Sequence, residues 1–192
     1  MSDISYKIEF HSNWHIGSGL SGNSYADLLV LKNNDHLPII PGKTLKGLLR
    51  EAAEFLTHSP LKNELPDDFV KSIFGAVPSE QEKELEYAIP EGISFFDNAN
   101  LSEEVANFIK SNKNQNVLYK MISSTALDKE GIAVNNSLRQ IEVCVPLTLY
   151  GSIYHFPEGE NYLKGIAYCF SFIKRLGLQR NRGFGNCTLK LL

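Results

Sequence analysis

Leu147-Thr148-Leu149-Tyr150-Gly151-Ser152-Ile153-Tyr154 sets Leu147, Leu149, Gly151 and Ile153 against Thr148, Tyr150, Ser152 and Tyr154. This is the two-residue period of a strand with one buried face. Immediately downstream the period lengthens: Leu163, Ile166, Ala167, Phe170 and Ile173 fall on one side of a helix over about Asn161 to Leu176. Asn186 to Leu192 then reads as a closing strand. The first half of the chain has the same order. Ile4, Tyr6, Ile8 and Phe10 alternate with Ser5, Lys7 and Glu9 in a first strand. From Lys43 onward, Leu45, Leu48, Leu49, Ala52, Ala53 and Leu56 define a helix, and Ile93-Ser94-Phe95-Phe96-Asp97 forms a compact second strand.

Strand, helix, strand, strand, helix, strand predicts an α+β, ferredoxin-like (RRM-like) βαββαβ arrangement, with two helices on one face of a four-stranded sheet. RNA-recognition domains use the same arrangement, although fold alone does not fix function. Between the second and third core strands, Val117 to Val145 reads as an inserted arm, with a turn signal at Asp128-Lys129-Glu130-Gly131. Two shorter helical pieces are expected, one after Pro66-Asp67-Asp68 and one over Leu101 to Ile109. His11 to Pro38 is rich in Gly, Ser and Asn, with a short apolar run at Leu28 to Leu31 suited to a minor strand. A loop of this length inside a compact domain is usually functional or disordered. The expected organisation is one domain over residues 1–192, with 117–145 as the arm.

The 192 residues carry 19 Lys and Arg against 22 Asp and Glu, a formal charge of −3. That sum does not advertise a nucleic-acid binder, which usually has an excess of basic residues. The distribution is more informative. Glu80, Glu82, Glu84, Glu86, Glu91, Glu103 and Glu104 crowd the middle, whereas the stretch after Glu160 has no acid and carries Lys164, Lys174, Arg175, Arg180, Arg182 and Lys190. The field at a surface follows local charge, so one face can be cationic despite the net value. Cys144, Cys169 and Cys187 have neither disulfide nor zinc spacing and read as buried thiols, and the histidines show no paired metal spacing. No apolar run approaches the roughly 20 residues that span a bilayer, and the start lacks the pattern of a secretory signal. A cytoplasmic protein with no membrane association is expected.

Two segments carry candidate chemistry. In Gly177-Leu178-Gln179-Arg180-Asn181-Arg182-Gly183-Phe184-Gly185, glycines admit positive φ and close backbone approach, while the arginines can fork onto phosphate oxygens. Such a loop suits a sugar-phosphate chain; the same residues also fit a helix cap followed by a flexible turn. In the second segment, Pro41 and Gly42 lead into the first helix, whose N-terminus together with Lys43, Lys46 and Arg50 makes an anion site. A solvated basic helix face is the alternative.

His15-Ile16-Gly17-Ser18-Gly19, the block from Ile40-Pro41-Gly42-Lys43-Thr44 through Leu45-Lys46-Gly47-Leu48-Leu49-Arg50, and Asn181-Arg182-Gly183-Phe184-Gly185 resemble, in order, recurring motifs of the RAMP superfamily of CRISPR systems. Ser94 to Ala99, and Ala126 to Ala133 continuing through Ser137-Leu138-Arg139 to Glu142, also resemble the family pattern. Within the superfamily the size and the arm look most like the backbone subunit of type III effector complexes.

That resemblance implies partners: guide RNA, complementary target RNA, copies of the chain stacked head to tail, and other CRISPR effector subunits. It implies guide-RNA contact at His15, Gly17, Ser18, Lys43, Thr44, Lys46, Arg50, Arg139, Arg180, Arg182, Gly183, Phe184 and Gly185. It gives the arm the role of pushing between guide and target, for which a plain dimerisation hairpin is the alternative. It also makes Asp27 a candidate catalytic and metal residue, holding Mg2+ or another divalent cation while a ribose 2′-hydroxyl attacks the scissile phosphate. This endoribonuclease reading stands beside three others: a non-catalytic RNA-binding subunit, a metal-independent guide-processing endoribonuclease, and a protein-interaction domain without RNA. For Asp27 itself a solvated loop acid is the alternative, for His15 a packed histidine, and for Tyr25 either base stacking or packing.

Overall fold

The computed structural model describes residues 1–17, 19, 26–76 and 92–192. The acidic residues Glu80, Glu82, Glu84, Glu86 and Glu91, together with Ser18 and Tyr25, lie outside the described residues. The described strands are β1 (Ser2–Phe10), β2 (Phe95–Phe96), β3 (Tyr119–Ser124), β4 (Arg139–Cys144), β5 (Thr148–Phe156) and β6 (Cys187–Leu191). The described helices are α1 (Gly42–Thr57), α2 (Phe69–Phe74), α3 (Glu103–Ser111) and α4 (Glu160–Phe172). The result is a mixed α/β fold with antiparallel sheets.

One sheet has the order β2-β5-β1-β6, and every neighbouring pair is antiparallel. Alternation along β1 buries Tyr6, Ile8 and Phe10 and leaves Ser5, Lys7 and Glu9 on the opposite face. Against the buried face pack Leu45, Leu49, Ala53 and Leu56 of α1 and Ile166, Cys169 and Phe170 of α4. Tyr6 meets Phe170 edge to face with centroids 5.6 Å apart. Gly151 opposite it is required by space, because a Cβ there would lie 2.2 Å from the Tyr6 hydroxyl oxygen. Burying these faces supplies most of the driving force for the layer arrangement, at roughly 25 cal/mol per Å² of apolar surface.

The second sheet is the hairpin β3-β4, in register from Tyr119 opposite Cys144 to Ser124 opposite Arg139. Beyond it the chain continues through a Leu127–Ala133 bridge to a turn closed by Asp128, whose Oδ1 accepts the Glu130 and Ile132 N–H groups at 3.0 and 2.8 Å. The hairpin is rooted in the first sheet. Trp14 and Cys144 exchange backbone bonds of 3.0 and 2.8 Å, and Trp14 Nε1 donates to the Val145 carbonyl.

Three boundaries differ from the sequence reading. The last helix, expected to reach Leu176, stops at Phe172. Its continuation is extended instead: Arg175 bridges Asn186, and the N–H groups of Cys187 and Leu176 bond the Lys174 and Gly185 carbonyls. The strand expected over Ile93 to Asp97 keeps only Phe95–Phe96 in the ladder. Leu28 to Leu31 makes isolated bridges, Leu28 with Ile141 and Val30 with Gly17, rather than a strand.

All three cysteines are free and buried, and burial pushes the Cys169 and Cys187 thiols up to about 12. Among the described residues no helix is long and apolar enough to cross a membrane.

Candidate nucleic-acid interface

The glycine-rich loop is fixed from behind. Gly177 and Gly185 adopt φ of 93° and 68°, and a Cβ would fall 2.2 Å from the His15 carbonyl oxygen at the first and 1.9 Å from the Leu176 carbonyl oxygen at the second. Both positions therefore demand glycine twice over, by dihedral and by space. The N–H of Leu178 bonds the His15 carbonyl, that of Gly185 bonds the Asn13 carbonyl, and Arg175 Nη1 donates to the Arg180 carbonyl at 2.7 Å. These bonds consume backbone groups and leave the side chains of the short turn Arg180–Arg182 exposed. Gly183 is exposed too, whereas Phe184 is half-buried and Gly185 is buried, so the last two support the loop rather than form its outer surface.

Asp27 stands at the root of the arm. Its N–H donates to the Gln140 carbonyl at 2.8 Å, and its Oδ2 accepts the Gln140 N–H at 2.7 Å. The side chain thus completes a reciprocal pair that joins positions 113 residues apart. The next step of this seam is made by Glu142, only 9% exposed. Its N–H bonds the Leu28 carbonyl; its carboxylate accepts the Val30 N–H at 3.0 Å and Lys32 Nζ at 2.8 Å. Lys32 also sits 4.0 Å from the centroid of the Tyr119 ring. A carboxylate here takes the place of a missing strand carbonyl, and a buried charge of this kind requires such complete pairing.

These elements meet in one open cleft of about 900 Å³, lined by Asp27, Leu28, Ser124, Arg139, Ile141 and the loop residues Gly177 to Arg182. Three predicted arginines, Arg139, Arg180 and Arg182, line the same cavity as Asp27. An open cleft lined by three arginines matches the bidentate chemistry of phosphodiesters. Among the described residues no group of three His, Cys, Asp or Glu side chains is close enough to hold a metal ion unaided. Asp27, exposed and with one carboxylate oxygen engaged, fits the lesser requirement of Mg2+, which takes one or two protein carboxylates and completes its shell with water and substrate phosphates.

Other predicted residues lie elsewhere. His15 is 2% exposed, and its Nδ1 is 2.6 Å from the Glu142 carbonyl oxygen. It is the packed histidine of the alternative reading, linking the arm root to the glycine loop from beneath. Gly17 is exposed and bridges Val30. On α1, Lys43 is exposed, Thr44 donates its N–H to the Pro41 carbonyl, and Lys46 Nζ donates to the Ser94 carbonyl at 3.1 Å and lies near the Phe96 ring. The Arg50 guanidinium donates to the Gly75 carbonyl and lies 3.5 Å from Glu54. The helix N-terminus is met by Asn98, whose Oδ1 accepts the Gly42 N–H at 3.0 Å. None of these α1 residues lines the cleft.

Sequence reading did not single out Lys32, Gln140, Ser124 or Gln179, and met Glu142 only as the end of a motif. Their roles arise from pairing between distant segments; an acid at Glu142 within an otherwise apolar Ile141 to Cys144 run was the one available signal.

A family model described as the RAMP superfamily matches residues 7–188, and the chain belongs to that superfamily. No curated protein sequence matches it. Among solved structures it is similar to a chain of the type III-B Cmr-beta complex bound to cognate target RNA, with a TM-score of 0.68 and 11% identity over 100% of this chain and 97% of that one. It is also similar to a chain of Cmr-beta in the apo state, with a TM-score of 0.64 and 12% identity over 99% and 97% of the two chains. A chain of a type IV-B CRISPR complex gives a TM-score of 0.62 and 13% identity over 100% and 90%. At these identities the likeness concerns the fold.

Proposed function

We propose that this chain is a guide-RNA-binding subunit of a type III-like CRISPR effector complex and that it cleaves target RNA paired to the guide. The observation that carries this reading is the single cleft in which Asp27 and three arginines from two distant segments converge. The sheet order β2-β5-β1-β6, with α1 after β1 and α4 after β5, supports a ferredoxin-like description over one domain, with β3-β4 as the inserted arm. Stacking of copies head to tail and contact with other effector subunits belong to the same reading. A heterologous contact that does not close a ring generates such a filament.

In the proposed site Arg139, Arg180 and Arg182 hold the phosphodiester by charge, without reading bases, as a subunit that accepts any guide requires. Gln140 fixes the Asp27 carboxylate. Asp27 is the residue that would hold Mg2+ or another divalent cation, which when bound supplies charge stabilisation at the scissile phosphate. Gly183 and the buried His15 and Gly185 preserve the shape of the loop, and Lys43 adds a peripheral cation.

The test is cleavage of guide-complementary RNA by the reconstituted complex. Asp27→Asn keeps an oxygen to accept the Gln140 N–H while removing the charge, so it is expected to abolish metal-dependent cuts with guide binding intact. Retained cleavage in this variant, or cleavage that persists in EDTA, refutes the assignment. A second reading, a non-catalytic scaffold, rests on Asp27 already serving a structural bond, since its Oδ2 accepts the Gln140 N–H at 2.7 Å. That reading is established if wild-type complex binds guide and target and makes no cuts.

A further inference from the structure

The sheet face turned away from α1 and α4 carries a pattern the cleft does not use. Register sets Tyr150 of β5, Lys7 of β1 and Lys190 of β6 in one row, Ser152 opposite Ser5 two residues along, and Tyr154 opposite Phe95 at the edge. Strands lie about 4.8 Å apart, so each row is compact. Phe95 and Tyr150 are 60% and 40% exposed. Phe95 stacks on Tyr154 with centroids 6.1 Å apart. The backbone of Tyr150 is held on one side by reciprocal bonds of 2.6 and 2.8 Å with Asn100 and on the other by β1. Its ring is therefore presented from a rigid strand.

Charge identifies the occupant. Lys7 and Lys190 are direct cross-strand partners, and like charges so placed repel. Neither is in a salt bridge among the described residues. The face also holds Glu9, between Thr148 and Thr188, one register step beyond the lysine row. An apolar protein partner would bury the two lysines unpaired, at a cost; a polyanion relieves their repulsion. Exposed aromatic rings interleaved with cations and hydroxyls are what unstacked bases on a phosphate chain require.

We propose that this open face binds single-stranded nucleic acid, with bases stacked on Tyr150 and on the Phe95–Tyr154 pair and phosphates at Lys7 and Lys190. The site shares no residue with the Asp27 cleft. It therefore stands whether or not the cleft cuts RNA.

The test uses the full chain in a background where Arg139, Arg180 and Arg182 are alanine, with fluorescence anisotropy of labelled oligouridine and oligothymidine. Residual binding is expected, weakened about tenfold or more by Tyr150→Ala and retained in Tyr150→Phe. Combining Lys7→Gln with Lys190→Gln is expected to lower the salt-dependence slope by about 1.4. This double variant keeps the test decisive even where Tyr150→Ala perturbs folding. Comparable affinity for the two oligomers assigns the site to single strands in general, and preference for oligouridine assigns it to RNA. Absence of residual binding, or residual binding indifferent to both sets of changes, overturns the proposal. Self-association in sedimentation that Tyr150→Ala abolishes, with oligouridine binding unchanged, instead reassigns the face to a second copy of the chain.

Discussion

Residues 42–50 and 177–185 are both basic and glycine-containing, yet the structure uses them in different ways. On α1, Lys46 and Arg50 reach across to the carbonyls of Ser94 and Gly75, and Asn98 meets the first N–H of the helix. In the loop the backbone is bonded from behind by Arg175 and by the carbonyls of His15 and Asn13, so Arg180, Asn181 and Arg182 stay exposed. The difference lies in what the neighbouring chain leaves unpaired. Beside α1 the carbonyls of Ser94 and Gly75 are met by cations of the helix. A turn anchored from behind at Leu178, Arg180 and Gly185 leaves its arginine side chains available to an outside ligand.

Substitutions break or sharpen that comparison. The largest expected effect is Gly185→Ala, which combines a positive φ with a backbone clash and should cost about 3 kcal/mol in urea unfolding, with loss of RNA binding. Arg50→Ala follows, removing bonds to Gly75 and Glu54 for about 1–2 kcal/mol of stability while leaving the salt dependence of RNA affinity unchanged. Arg182→Ala is the mirror image. Stability should stay within about 0.5 kcal/mol, while the slope of log affinity against log salt falls by roughly 0.7–0.9, the value of one phosphate contact. If Arg50→Ala lowers that slope as much as Arg182→Ala does, the contrast between the two segments is wrong.

Legibility in the sequence followed the range of the interactions. The alternation of β1 and β5 and the apolar stripe of α1 are local patterns, and the structure has each of them within a few residues of its expected limits. The end of α4 was less legible because Ile173 continues the helical period, whereas pairing of Arg175 with Asn186 pulls the chain into an extended path. Motif resemblance singled out Asp27, Arg139 and Arg182, but not that they share a cavity. That fact depends on a parallel bridge from Leu28 to Ile141 and on Glu142 reaching Val30 and Lys32, contacts with no local periodicity. The α1 cations were the converse case. Their spacing was legible, while the carbonyls they bond were not.

The paired hydrogen bonds between Asp27 and Gln140 mount the carboxylate on the arm. Gln140 belongs to the returning strand of the arm, upstream of the point where Trp14 clamps Cys144, so the carboxylate is held by the hairpin as well as by its own loop. Where β4 lies therefore decides where the Asp27 carboxylate lies.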